Sequence, residues 1–170
     1  MTKPRKLTSE KLLNKYNLIV NGVKKDFPSL QNISIDVKEK EWKGLAGARW
    51  NPISGFRLLI NTKRLEKMNK SALKGLIAHE LSHFEQMLEY NKVYFLYFIF
   101  LHYLKINYFP KIINQESLDK LERDADCRAV KRGYGKELIA LCKFEGSIGF
   151  NPTNKYLTIS EIKKLMEEFD

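Results

Sequence analysis

The chain has 170 residues, the size of one compact domain with room for a real core. With 44% apolar and 29% charged residues it belongs with globular rather than disordered proteins, and its two cysteines, Cys127 and Cys142, are too few for a disulfide scaffold. Both read as reduced thiols, Cys127 as a small buried side chain. A formal charge of +10 invites an anionic partner, yet the lysines are scattered from Lys3 to Lys164 with no dense cluster or nucleic-acid motif. A solvated lysine-rich surface is therefore expected, and no nucleic-acid partner.

The N-terminal MTKPRKLTSEKLL is basic but lacks the apolar stretch and small-residue cleavage site of a secretion signal, so the expected location is cytoplasmic. From Leu7 to Val23, apolar residues recur every three or four positions (Leu12, Leu13, Tyr16, Ile19, Val20, Val23). That spacing predicts an amphipathic helix with Thr8 or Ser9 as its N-cap. Alternation in Ile33–Val37 predicts a short strand. Leu45–Trp50 and Phe56–Asn61, separated by the turn-forming NPISG, predict a β-hairpin. A helix capped by Ser71 follows, SALKGLIAHELSHFEQMLEY, with one apolar and one charged face. Another is expected from about Gln115 to Arg132, stopping near Gly133. KELIALCKF reads as a short helix, and Thr158 or Ser160 opens a last amphipathic one. With no repeat and no low-complexity linker, residues 1–170 read as one α+β domain, strands early and helices late.

Val93–Phe109, VYFLYFIFLHYLKINYF, is the most apolar stretch and approaches the roughly 20 residues that a membrane span needs. His102, Lys105 and many tyrosines interrupt it, and Pro110 closes it. Two readings remain open: a tyrosine-rich interfacial helix at a membrane surface, or an element buried in the domain or in a contact between copies.

His79-Glu80-Leu81-Ser82-His83 is an H-E-x-x-H pattern. Positions i and i+4 put both imidazoles on one helix face, one turn apart, where they can grip a single ion, while Glu80 stands a step around the helix. A catalytic zinc takes three protein ligands and keeps one position open. The remaining histidine, His102, has no companion carboxylate. Downstream, Glu122 and Asp126 share a helix face at i, i+4, so one can bind metal while the other accepts the outer N–H of a ligating imidazole. A single membrane crossing by residues 93–109 would put His83 and Glu122 on opposite sides of the bilayer, which a shared ion forbids.

IAHELSH followed by ERDADCRAV resembles the gluzincin metallopeptidases, which pair H-E-x-x-H with a later E-x-x-A-D, here Glu122, Ala125 and Asp126. The order of elements is similar to the HtpX-like and CAAX prenyl protease catalytic domains, and in size to the minigluzincins, their small soluble relatives. The likeness spans roughly Leu45 to Leu165. It implies a zincin-like domain with a small antiparallel or mixed three-stranded sheet, an active-site helix and a glutamate helix. It implies zinc held by His79, His83 and Glu122, with Glu80 as catalytic base and Asp126 fixing the ring of His79. Its LAGARW strand is similar to the edge on which gluzincins lay a peptide or unfolded-protein substrate. Asn151-Pro152 stands where the HtpX-like tail has His-Pro, which leaves Arg128, Tyr134 and Tyr156 as candidates for oxyanion stabilisation. The implied function is a zinc metalloendopeptidase. Small relatives can be latent, so the alternative is a self-inhibited or non-catalytic metal-stabilised module, at a membrane surface if residues 93–109 contact one.

Overall fold

The computed structural model describes residues 9–51, 53–89, 115–150 and 155–169. The expectations for Thr8, Val93–Phe109, His102 and Asn151-Pro152 lie outside them. Helix α1 (Ser9–Lys24) buries Tyr16, Val20 and Val23, the stripe its spacing predicts. A 3-10 turn at Pro28–Leu30 leads to strand β1 (Ile35–Glu39), two residues later than the alternation suggests. The reason is local: the Ile33 N–H bonds to Leu30 O at 2.9 Å and closes the turn, so pairing starts at Ile35 opposite Phe56.

Strands β2 (Ala46–Asn51) and β3 (Gly55–Ile60) form the expected antiparallel hairpin. Asn51 Oδ1 accepts from the amides of Ile53 (2.8 Å) and Ser54 (3.1 Å), and Gly55 takes φ +72°, which glycine adopts without strain. β1 joins β3 in parallel, so the sheet is mixed, with order β1-β3-β2 and β2 at an edge. The Asn61 N–H reaches Leu45 O, which sets the alternation along the pair. Ala46, Ala48 and Trp50 therefore turn their amide and carbonyl groups to the free edge.

After a four-residue helix α2 (Thr62–Leu65) comes α3 (Lys70–Glu89). Its cap is Asn69 rather than Ser71. Asn69 Oδ1 accepts from Ala72 N (2.9 Å), the third amide of the helix, whereas Ser71 lies inside the first turn. Nor does α3 keep a charged outer face. From Ala72 to Met87 it is buried almost throughout, because β2, α1 and the later helices surround it. Its interior polar groups are accordingly bonded: Ser82 Oγ to Ala78 O, and Glu85 to Ser29 Oγ and Arg132 Nη2.

Helices α4 (Gln115–Lys131), α5 (Gly135–Ser147) and α6 (Ile159–Phe169) complete the described elements, giving an α+β fold around one core. α4 ends as its glycine predicts. Gly133, at φ +85°, donates to Val130 O and Tyr134 donates to Ala129 O, a Schellman cap. Ala125 and Ala129 take the inward face of α4, so Cys127 is partly rather than fully buried; both cysteines are free. Thr158 and Glu161 form a capping box for α6, each accepting from the other's backbone N–H. Arg123 bonds Glu161 at 2.6 Å and, with the Thr158 groups, lowers its carboxyl to about 2. No helix among the described residues is long and apolar enough to cross a membrane.

Gly75 sits where α3 crosses α5. A Cβ there would meet the Glu137 carbonyl oxygen at 2.3 Å and its carbon at 2.5 Å. In an open helix Gly→Ala gains about 1 kcal/mol, but backbone cannot rotate away like a side chain. Gly75→Ala is therefore expected to cost about 1–3 kcal/mol net, read as a lowered denaturation midpoint. A more stable variant would mean the crossing is looser than described.

Candidate metal centre

α3 presents His79 and His83 on one face, and α4, packed alongside, presents Glu122 and Asp126 one turn apart. Three atoms converge. His79 Nε2 lies 3.1 Å from His83 Nε2 and 3.2 Å from Glu122 Oε2, and His83 Nε2 lies 3.4 Å from that same oxygen. The rings meet edge to face, 4.7 Å between centroids.

The outer nitrogens decide what those inner atoms carry. Asp126 Oδ1 accepts from His79 Nδ1 at 2.7 Å, and Gln86 Oε1 accepts from His83 Nδ1 at 2.8 Å. The Gln86 amide cannot be reversed, because its Nε2 donates to both Leu121 O (2.8 Å) and Asp124 Oδ2 (2.9 Å). Each ring thus keeps a proton on its outer nitrogen, so in its neutral form it points a lone pair inward, beside a carboxylate oxygen. Three acceptors facing one point repel unless a cation stands between them. An ion bound tetrahedrally at about 2.0–2.1 Å holds its donors roughly 3.3 Å apart, which matches the triangle. His79, His83 and Glu122 form a group that could hold a metal ion.

The surrounding electrostatics agree in sign. Burial opposes charge on His79, but Asp126 and Glu122 override it and raise its pKa well above the ordinary value. Burial likewise disfavours the Glu122 carboxylate, yet with no ion bound, His79 and His83 protonated on their inner nitrogens hold it far below the usual range. The site is built to pair positive charge with Glu122 and Asp126. Lys155 Nζ takes the other Glu122 oxygen, Oε1, at 2.9 Å, so a single carboxylate oxygen faces the imidazoles.

The chain matches no family model, no curated protein and no solved structure.

Glu80 points elsewhere: its Oε2 accepts the Ala48 N–H of the edge strand at 2.6 Å. Its carboxylate lines a cleft of about 460 Å³ with Ala46, Ala48, His83, Glu122 and Tyr156. A smaller cavity of about 120 Å³ adjoins the other side of His79 and Glu80. Of the oxyanion candidates, Arg128 is held by Glu89 and Asp124, and Tyr134 donates to Asp26 at 2.5 Å. Tyr156 alone of the three lines both spaces, its ring centroid 5.8 Å from that of His79. Burial first, then Glu122, push its phenol above the usual range, so it stays a donor.

Residues that sequence reasoning missed complete the surroundings. Gln86 was within reach of it, being three positions after His83 on the same helix face. Lys155, Glu145 and Arg123 carry no such signal. Arg123 Nη1 bonds Tyr156 O (3.0 Å) and Asp126 Oδ2 takes the Leu157 N–H (2.9 Å), which pins residues 155–157 over the centre.

Proposed function

We propose that this protein is a zinc-dependent metalloendopeptidase of the zincin-like, gluzincin type. The observation that carries the reading is the triangle of His79 Nε2, His83 Nε2 and Glu122 Oε2 beside a carboxylate, Glu80, that takes no part in it. Two imidazoles and one carboxylate oxygen suit zinc among divalent ions. Bound there, zinc supplies a Lewis acid that makes water nucleophilic near neutral pH.

The chain's own groups supply the rest. Ala48 N–H orients Glu80, whose Oε1 has no hydrogen-bond partner among the described residues and is left to take a proton from the attacking water and deliver it to the departing amine. Asp126 keeps the His79 proton on Nδ1, and Gln86 does the same for His83. The Tyr156 hydroxyl is the donor for negative charge developing on the carbonyl oxygen. An extended peptide or unfolded protein segment would add to β2, whose Ala46 and Ala48 carbonyls face the open edge.

Zinc analysis of the wild type beside Glu122→Ala tests the centre. About one zinc per chain is expected, lost or weakened by orders of magnitude in the variant; a wild type that takes no zinc after remetallation ends the proposal. A self-inhibited form of the same enzyme is favoured by one observation: Lys155 and Tyr156 lie against Glu122 and His79, in the space a substrate needs. Activity that rises in Lys155→Ala would identify that form, and unchanged or lower activity would dismiss it.

A further inference from the structure

Glu145, close to the end of α5, lines the cavity of about 120 Å³ that adjoins His79 and Glu80. One side of its wall is apolar: Leu76, Leu138, Leu141 and Ile162 are each buried. The other two carboxylates on this cavity are engaged, Glu80 by Ala48 N–H and Asp126 by His79 and Leu157. Glu145 differs. Among the described residues no donor and no cation meets its carboxylate. Burial raises its pKa to about 7, with His79 opposing and Asp126 adding to the shift. Lys43 and Arg64 also line the cavity, but both are exposed to solvent, which screens them.

Glu145 is itself half-buried, and an unpaired carboxylate so placed beside apolar walls is costlier to keep charged than one in water, a cost that a cation brought to it recovers. The matching ligand needs an aliphatic body for the leucine walls and a positive tip for Glu145. A lysine side chain has that form: its methylenes bury along apolar surface while the ammonium reaches a polar partner. A free peptide N-terminus offers the same ammonium without the stem.

We propose that the Glu145 cavity is a specificity pocket that takes a lysine side chain of the substrate next to the bond presented to His79 and Glu80. The proposal rests on the peptidase reading for its placement in catalysis, though binding can be measured without turnover. A charge-assisted hydrogen bond in such a recess corresponds to about 10–100-fold in affinity.

The test is binding of acetylated, amidated alanine-based hexapeptides to the zinc-treated Glu80→Gln protein, with one central residue varied. A lysine peptide is expected to bind at least about tenfold tighter than its norleucine counterpart. Glu145→Gln, added to the same protein, should erase that preference, and Glu145→Lys should transfer it to a glutamate peptide. A lysine preference that survives Glu145→Gln, or that is absent to begin with, overturns the proposal. So does failure of every peptide to bind. If a norleucine peptide with a free N-terminus gains as much as the lysine peptide, the pocket reads amine termini and the lysine assignment falls. If the lysine preference depends on Glu145 while wild type binds no zinc and cleaves nothing, the peptidase reading fails and the pocket assignment stands.

Discussion

Replacing Glu80 with glutamine is expected to lower peptide hydrolysis by about three orders of magnitude, within the 10²–10⁴-fold range of positioned acid–base groups, while zinc content and melting temperature stay near wild type. The substitution is nearly isosteric. The glutamine oxygen can still accept the Ala48 N–H that now holds Glu80 Oε2 at 2.6 Å, so the edge strand keeps its contact with α3. What disappears is a group able to take a proton. Zinc bound as proposed should be spared, because Glu80 lies outside the triangle of His79, His83 and Glu122. Turnover on a quenched fluorescent peptide, measured beside metal content on the same preparation, separates the two effects. Undiminished turnover would remove Glu80 from the chemistry, and lost zinc would place it in the metal shell instead.

Asp126→Asn should damage both metal binding and folding. The native carboxylate is buried and accepts two hydrogen bonds, from His79 Nδ1 at 2.7 Å and from Leu157 N at 2.9 Å. An asparagine side chain offers one oxygen and one amide, so it can satisfy one donor and must face the other with a donor of its own. A buried donor left unmet costs about 1–3 kcal/mol, and loss of a partner that orients a ligating imidazole costs about 10–100-fold in metal affinity. Chelator competition reads the second effect; denaturant unfolding of the metal-free protein reads the first. A variant with wild-type values in both would mean that Asp126 neither orients His79 nor anchors residue 157.

The parts of this architecture that could be read from residue order alone are those set by local spacing. An i, i+4 spacing, about one helical turn, puts His79 with His83 and Glu122 with Asp126, whatever the tertiary fold. Asn51 marks its turn by the amides its side chain accepts, and Gly55 and Gly133 mark theirs because few other residues adopt a positive φ. The start of β1 was misplaced because Ile33 looks like a strand residue and is spent on closing a turn. The cap of α3 was missed because Asn69 and Ser71 are both good capping residues, and only the position of the first amides chooses between them. The charged face expected of α3 fails for a longer-range reason: Arg132 and Ser29 cover Glu85, and α4 covers Gln86 beside it. Lys155 and Glu145 reach the centre only through chain reversal after α4 and α5, which no local pattern encodes.

The burial of α3 bears on how this centre opens and closes. A segment walled in from Ala72 to Met87 has few solvent-facing hydrogen bonds to break one at a time, so it belongs to the last cooperative unit to come apart. Its side chains do not supply the movement by which a ligand enters or leaves. For the proposed function that task would fall to the periphery, to residues 155–157, held over the centre by Arg123 and Asp126. If the centre binds an ion or peptide as proposed, exchange at His79 and His83 would be timed by detachment of a short stretch of chain, at a free-energy cost below that of unfolding the helix beneath it.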